Sequence, residues 1–310
     1  MPMFLCYGQR RVGKSSLLQF LPRLLGSRFQ VIYQDCQHTN VNNLSNWLKD
    51  LHQRLNNTWA STEEIDWQPT DNWLEAWSKM QHYLETLSRQ QEEKIILAFD
   101  EYEELHKRIF STDPKQGEML LGAMRSFSQH QNQIVFLFVG AAQFADLKTP
   151  NWDKYFIHAM PLQVDYLEPK DAARLITEPV DLIYPTPVIE RMLTLTQGHP
   201  ALLQMVCRYM VNIANTETRK NMTLADLEQV ITQKIVQRNT YALNTFWTEF
   251  CPQHQCRATI EKLLNNQTLT DKPSLLKLED YGYIIPDGTG WKLRVPLLEM
   301  WLRRYMEGIE

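Results

Sequence analysis

The amino-acid sequence predicts an α/β fold in which a mostly parallel sheet is covered by helices and is followed by an all-helical stretch and a small helix-and-hairpin module. Three observations carry this expectation. Short apolar runs alternate with amphipathic segments as far as about residue 167, helical spacing alone continues to about residue 239, and two short runs then flank a Pro286-Asp287-Gly288-Thr289-Gly290 turn. Strand–helix alternation implies right-handed crossovers and a sheet that binds ligands at the carboxyl ends of its strands. The expected domains are residues 1–167, 168–239 and 240–310.

The elements follow in order. Met3-Phe4-Leu5-Cys6-Tyr7 is a short apolar run that stops at Gly8, and the leucines of SSLLQFLPRLL after it recur at helical spacing: strand, loop, helix. Gln30–Asp35 is β-branched and aromatic and reads as the second strand. Over 43–57 and 72–89, Leu44, Trp47, Leu48, Leu51 and Leu55, then Trp73, Trp77, Met80 and Leu84, fall at three- and four-residue steps, as on two amphipathic helices. Lys94–Phe99 is continuously apolar after its first residue, as a strand covered on both faces must be, and Asp100-Glu101 ends it. After a helix carrying Met119, Leu120, Leu121 and Met124, the run Ile134–Val139 ends at Gly140; a weaker fifth strand is expected within Ile157–Val164. Helices are expected near 169–178, 187–196, 201–214 and 223–238, forming a lid. Beyond 240, helices followed by Tyr283–Ile285, the turn and Trp291–Val295 read as a winged helix.

Two motifs fall at strand ends. Gly8-Gln9-Arg10-Arg11-Val12-Gly13-Lys14-Ser15 matches GxxxxGK[ST] between a strand and a helix, the context that a phosphate-binding loop demands. Glycines at 8 and 13 let backbone amides turn inward around phosphates, and the helix start adds its positive end. Lys14 is expected to reach the β- and γ-phosphates, Ser15 to ligate Mg²⁺, and Gln9, Val12 and Ser16 to complete the loop's contacts; Arg10 and Arg11 are candidates for contact with nucleotide or a partner, with plain solvated arginines as the alternative. The second motif is Ile95–Glu101, a buried strand ending in two acids. Asp100 is expected to hold Mg²⁺ through a water ligand and Glu101 to orient or deprotonate the attacking water. Alone, such an acid pair is an ordinary solvated strand end; the upstream loop reverses that reading. Gln143, after strand four, is a sensor candidate whose alternative is a plain polar loop residue. The pairing of motifs predicts a P-loop nucleoside triphosphatase.

Composition limits the function classes. Of 310 residues, 44% are hydrophobic and 22% charged, ordinary for a packed globular chain, and a net charge of −4 argues against a surface built throughout to neutralise nucleic acid. The five cysteines, Cys6, Cys36, Cys207, Cys251 and Cys256, form no CxxC pair, and Cys251-Pro-Gln-His254-Gln-Cys256 offers three ligands where zinc prefers four. Free thiols and a cytoplasmic setting are the expectation. No apolar run reaches the length of a membrane span, so no membrane partner is expected.

With these residues placed, the chain resembles the STAND branch of AAA+ ATPases, signal-transducing switch proteins. YGQRRVGKSSLL, IILAFDEYEEL, YLEPKDAARLITEPV, TQGHPALLQMVCRYMV and LRVPLLEMWLRR carry the resemblance. It implies ATP or ADP with Mg²⁺ as cofactors, slow hydrolysis, attached effector or sensor modules, and a homo-oligomer in the ATP state. Gly198-His199-Pro200 is similar to the family's GxP motif, which sets Pro200 against adenine, with His199 as a further sensor candidate; a simple helix break is the alternative. The terminal winged helix is implied to clamp the nucleotide state rather than read DNA, since Asp271, Glu279, Asp280, Asp287 and Glu299 interrupt its basic residues, although the phosphate-contacting histidine of some relatives has no counterpart between Tyr281 and Arg304. Relatives also carry a segment ahead of the first strand, where only Met1 and Pro2 stand here; a half-built adenine pocket is therefore expected, with ATP and GTP bound within about tenfold of one another. The rival readings are a DNA-binding initiator or loader, and a nucleotide-binding scaffold without hydrolysis.

Overall fold

A computed structural model describes residues 3–37, 43–59, 65–67, 72–238 and 241–307. The described chain divides into two compact units, Met1–Val164 and Asp165–Glu310.

In the first unit, β1 (Met3–Tyr7), β2 (Phe29–Asp35), β3 (Lys94–Asp100), β4 (Ile134–Gly140) and β5 (Met160–Gln163) form one parallel sheet in the order β2-β3-β4-β1-β5. That order distributes the helices. The connection from β1 to β2 steps across the sheet one way and all later connections step the other way. Right-handed crossovers therefore put α1 (Lys14–Leu25) alone on one face. The opposite face receives α2 (Leu44–Trp59), α3 (Trp73–Gln90), α5 (Pro114–His130) and α6 (Trp152–Phe156), with the short α4 (Glu103–Leu105) running into a π-helical turn, His106–Phe110. Burial follows this split. Leu18 of α1 packs with Cys6, Ile96, Ala98, Leu137 and Val139, whereas Leu5, Phe99, Phe136 and Phe138 enter the larger core of the many-helix face. There, Phe138 has ring neighbours Trp152, Phe144, Phe156 and Tyr102 at 5.5–5.7 Å. The Tyr102 hydroxyl escapes desolvation by donating to Ala142 O at 3.0 Å.

The starts of α3 and α5 are set by short polar side chains. Asn72 and Asp113 accept from the backbone N–H three residues on, at 3.3 and 3.2 Å, with Pro114 at the first turn of α5. The fifth strand is confined to Met160–Gln163, shorter than the expected Ile157–Val164, because a turn out of α6, closed by Ala159 N–H to Phe156 O at 2.8 Å, takes the residues between.

The second unit is helical: α7 (Pro169–Thr177), α8 (Thr186–Thr196), α9 (Pro200–Glu217), α10 (Leu224–Gln229) continuing as a π-helix over Val230–Val236, α11 (Tyr241–Thr245) continuing through Phe246–Phe250 into α12 (Cys251–Gln253), α13 (Arg257–Leu264) and α14 (Lys272–Asp280). An antiparallel hairpin of β6 (Ile284–Asp287) and β7 (Gly290–Leu293) and the final helix α15 (Pro296–Glu307) complete it. The expected boundary at 239/240 lies outside the described residues, as do Met1 and Pro2. The elements on its two sides pack together: α15 lies against α8 and the Val230–Val236 turn, and Trp301 donates to Arg238 O at 3.2 Å. Among the described residues no helix is long and apolar enough to cross a membrane.

Candidate functional site

The loop between β1 and α1 is shaped by its backbone. Gly8 leaves the sheet so close to the end of β5 that a β-carbon on it would lie 2.3 Å from Val164 O. Arg11 and Gly13 take left-handed conformations, with φ of 66° and 102°, which bends the chain back on itself. Gly13 precedes α1 and has no capping side chain, so the first-turn amides of the helix are left for a ligand. Ser15 and Ser16 are exposed, as are Arg10 and Arg11, while Val12 is buried and anchors the loop.

Lys14 is 5% exposed, and its ammonium donates to Gly8 O at 3.0 Å and Gln9 O at 2.7 Å. Burial holds its pKa below the usual lysine value, opposed by Glu101, Glu103 and Asp100. A buried cation resting on two carbonyls of its own loop can exchange them for phosphate oxygens.

Asp100 ends β3 and is 2% exposed. One carboxylate oxygen accepts from the Tyr33 hydroxyl at 3.1 Å, the other from the Glu101 N–H at 3.1 Å. The carboxylate is thereby fixed on the α1 side of the sheet, beside Tyr33 of the neighbouring strand. Glu101 has a left-handed backbone, φ 51°, at the turn out of the strand. Burial first, then the neighbouring Glu103, pushes its pKa up to about 7, against the pull of Arg10 and Lys14. Such a carboxyl exchanges a proton near neutrality, as a general base must.

Glu103 was not singled out by the sequence pattern. It is 6% exposed, accepts from Ala141 N–H at 2.9 Å through Oε1, and has no hydrogen-bond partner at Oε2. Its signal was the repeated acid in Asp100-Glu101-Tyr102-Glu103. Tyr33 was missed as well, because a tyrosine in a strand reads as core. Gln143, the sensor candidate, caps a short turn. Its side chain accepts from the Asp146 backbone and its own N–H donates to Asp146 Oδ2 at 3.1 Å, a reciprocal cap on the short turn Phe144–Asp146.

The structure thus gathers Gly8, Gln9, Lys14, Asp100, Glu101 and Glu103 at the carboxyl ends of β1, β3 and β4, with Ser15 on the first turn of α1. Pro200 and His199 belong to the second unit. There Gly198 has φ 77°, a β-carbon on it would meet Leu167 O at 2.3 Å, and Pro200 opens α9. The ring of His199 lies 5.0 Å from that of Tyr166, and the Arg294 guanidinium sits 3.9 Å from the centre of the Tyr166 ring.

Among the described residues no group of three or more His, Cys, Asp or Glu side chains converges on a metal position. A cation held there would have to take most of its ligands from outside these side chains, as Mg²⁺ does when it keeps several waters. The crowding of Asp100, Glu101 and Glu103 around one lysine fits such a guest.

Residues 2–147 match the family model described as AAA domain. A comparison with curated proteins finds no match. The fold is similar to the Walker-type ATPase PABY2304 of Pyrococcus abyssi, at 16% identity and a TM-score of 0.62 over 97% of this chain and 91% of that one. It is also similar to the ORC2 protein of Aeropyrum pernix in its ADP form, with 11% identity, TM-score 0.54 and coverage of 99% and 88%. CDC6P of Pyrobaculum aerophilum gives 11%, 0.52, 99% and 88%. At these identities the likeness is one of fold: a parallel-sheet P-loop ATPase architecture with an AAA domain match over its first half.

Proposed function

We propose, with the AAA domain match over residues 2–147 as premise, that this chain binds ATP with Mg²⁺, hydrolyses it slowly and uses the ATP and ADP states as a switch. The observation that carries the reading is the meeting of a phosphate-shaped loop after β1 with an acidic strand end on β3, the two strands being separated only by β4. In this reading the Lys14 ammonium leaves the carbonyls of Gly8 and Gln9 for the β- and γ-phosphates, and the amides of Gly13, Lys14, Ser15 and Ser16 hold the phosphates. Ser15 and Asp100 hold Mg²⁺, which neutralises charge on the phosphates when bound. Glu101 orients the attacking water and takes its proton. Pro200 packs on the base, the terminal helices and hairpin act as a winged-helix clamp in the manner of STAND switches, and effector or sensor modules or further copies of the chain receive the signal, in the cytoplasm.

Calorimetric titration with ATP and Mg²⁺, followed by a phosphate-release assay, tests this. Saturable binding with slow release supports the reading; failure of the protein to bind any nucleotide overturns it. The rival reading from the sequence, a DNA-binding initiator or loader, is tested beside it. A nanomolar, salt-sensitive and sequence-dependent shift of duplex DNA would favour it over a purely internal clamp.

A further inference from the structure

Strand four ends in Gly140-Ala141-Ala142, which brings no polar side chain to the site, and Gln143 just beyond is engaged as a cap. The space over Gly140 is filled instead from β3's side. A β-carbon on Gly140 would lie 2.0 Å from Glu103 Oε2 and 2.9 Å from its carboxyl carbon. Gly140 is in register with Tyr7, the last residue of β1 before the phosphate loop. The Glu103 carboxyl therefore sits where strand four, the loop and the acidic strand end come together. Lys14 and Arg10 both act on it, and Glu101 feels its charge.

Half of this carboxyl has an explanation. Oε1 ties down the Ala141 N–H, the first amide of the loop after strand four. Oε2 is buried without a partner, and an unsatisfied buried carboxyl oxygen is costly unless something meets it in another state.

We propose that Glu103 distinguishes a nucleoside triphosphate from a diphosphate: Oε2 hydrogen-bonds the terminal phosphoryl group, and Oε1 passes its presence to the loop after strand four through Ala141 N–H. The role requires Oε2 to donate, so the carboxyl acts in its protonated form; an ionised one would repel the phosphate. Burial moves the group in that direction, and its own backbone N–H, the Ala141 N–H, Lys14 and Arg10 oppose it. Glutamine, which keeps an acceptor for Ala141 and a donor for the phosphate, can then stand in for glutamate.

The inference rests on the nucleotide reading above and is tested without turnover. The parent, Glu103→Ala and Glu103→Gln are titrated with a non-hydrolysable ATP analogue and with ADP, each with Mg²⁺. Glu103→Ala is expected to lose about tenfold or more in affinity for the analogue, the worth of one hydrogen bond to a charged group, and to keep ADP affinity within about twofold. Glu103→Gln is expected to keep the parent's preference. A merely structural carboxyl gives an unchanged analogue-to-ADP ratio in Glu103→Ala, and that result overturns the proposal. So does a Gln variant as defective as Ala. If Glu103→Ala does not fold, Glu103→Asp, which withdraws the free oxygen by one methylene, carries the same test on the same ratio. A parent that binds neither ligand sinks the nucleotide reading itself, an outcome distinct from a parent that binds both while Glu103→Ala leaves their ratio intact.

Discussion

In the loop of residues 8–15 the buried ammonium of Lys14 is satisfied by its own surroundings, whereas at the end of β3 two buried carboxyl groups, Asp100 and Glu103, flank a half-buried third, Glu101, with too few partners. Lys14 rests on Gly8 O and Gln9 O, and the loop's bends are fixed by Arg11, Gly13 and the close approach of Gly8 to Val164. Asp100 has Tyr33 and an amide, but the pKa values of Glu101 and Glu103 are both raised, and Glu103 keeps an oxygen without a partner. The contrast is physical. A loop built from backbone geometry is preorganised and loses little on waiting for its ligand, while a cluster of like charges is strained until a cation or a proton arrives. The two halves must therefore respond oppositely when a charge is removed.

The largest effect is expected in the loop. Lys14→Ala removes the only buried ammonium among the site residues named here and fills no apolar core position, so nucleotide affinity should fall more than about 100-fold. Circular dichroism should show the fold retained. A variant that binds ATP as tightly as the parent would remove Lys14 from the site and break the comparison at its first term.

At the acidic end the corresponding change separates binding from chemistry. Glu101→Gln keeps a hydrogen bond to water but cannot accept its proton, and turnover should drop by about 100-fold with ATP affinity nearly unchanged. Phosphate release under saturating ATP reads this directly; equal rates would leave Glu101 outside the mechanism.

The same residue makes a prediction about stability that has no counterpart in the loop. The folded state raises the Glu101 pKa from 4.5 to about 7, so between those values the folded protein holds a proton that the unfolded chain has released. Stability from this group is then greatest at low pH and falls as pH rises through about 7. In EDTA and without nucleotide, the parent should lose roughly 2 kcal/mol relative to Glu101→Gln between pH 5 and 7.5, after allowance for partial solvent access. Urea unfolding at several pH values checks it. Parallel pH profiles for the two proteins would mean that the carboxyls are not in strained proximity.

Much of the first unit was legible because its signals are local. Continuous apolar runs located β1, β3 and β4, and a loop motif with a helix behind it located Lys14 and Ser15. What escaped notice depends on contacts remote in sequence. Glu103 matters because Gly140 makes room for it, and Tyr33 matters because strand pairing sets Asp35 opposite Asp100, leaving Tyr33 two residues back on the same face. Gln143 reads in the sequence as a sensor candidate or a plain polar loop residue, and only the geometry with Asp146 shows its capping of the turn. The sequence offered no sign that α15 returns to α8, since a helix facing two partners has the same apolar periodicity as one facing a single partner.

Tyr33 provides the smallest and sharpest test. Its hydroxyl donates to the same carboxylate that is expected to hold Mg²⁺, so Tyr33→Phe removes one restraint and leaves the ring in place. Two consequences compete. A freed Asp100 has an oxygen no longer shared with a competing donor, which favours the cation, but it is also less well oriented, and groups that orient a metal's ligand commonly contribute more than they cost. Orientation is expected to prevail because the site supplies so few protein ligands of its own: among the described residues no cluster of three such side chains would hold the ion if Asp100 turned away. The Mg²⁺ concentration for half-maximal turnover should rise about threefold, well under the worth of a full hydrogen bond to a charged group, with ATP affinity in EDTA unchanged. A fall in that concentration would show that Tyr33 restrains the acidic end by competing for the carboxylate, and the strain at the end of β3 would then extend to Asp100 itself.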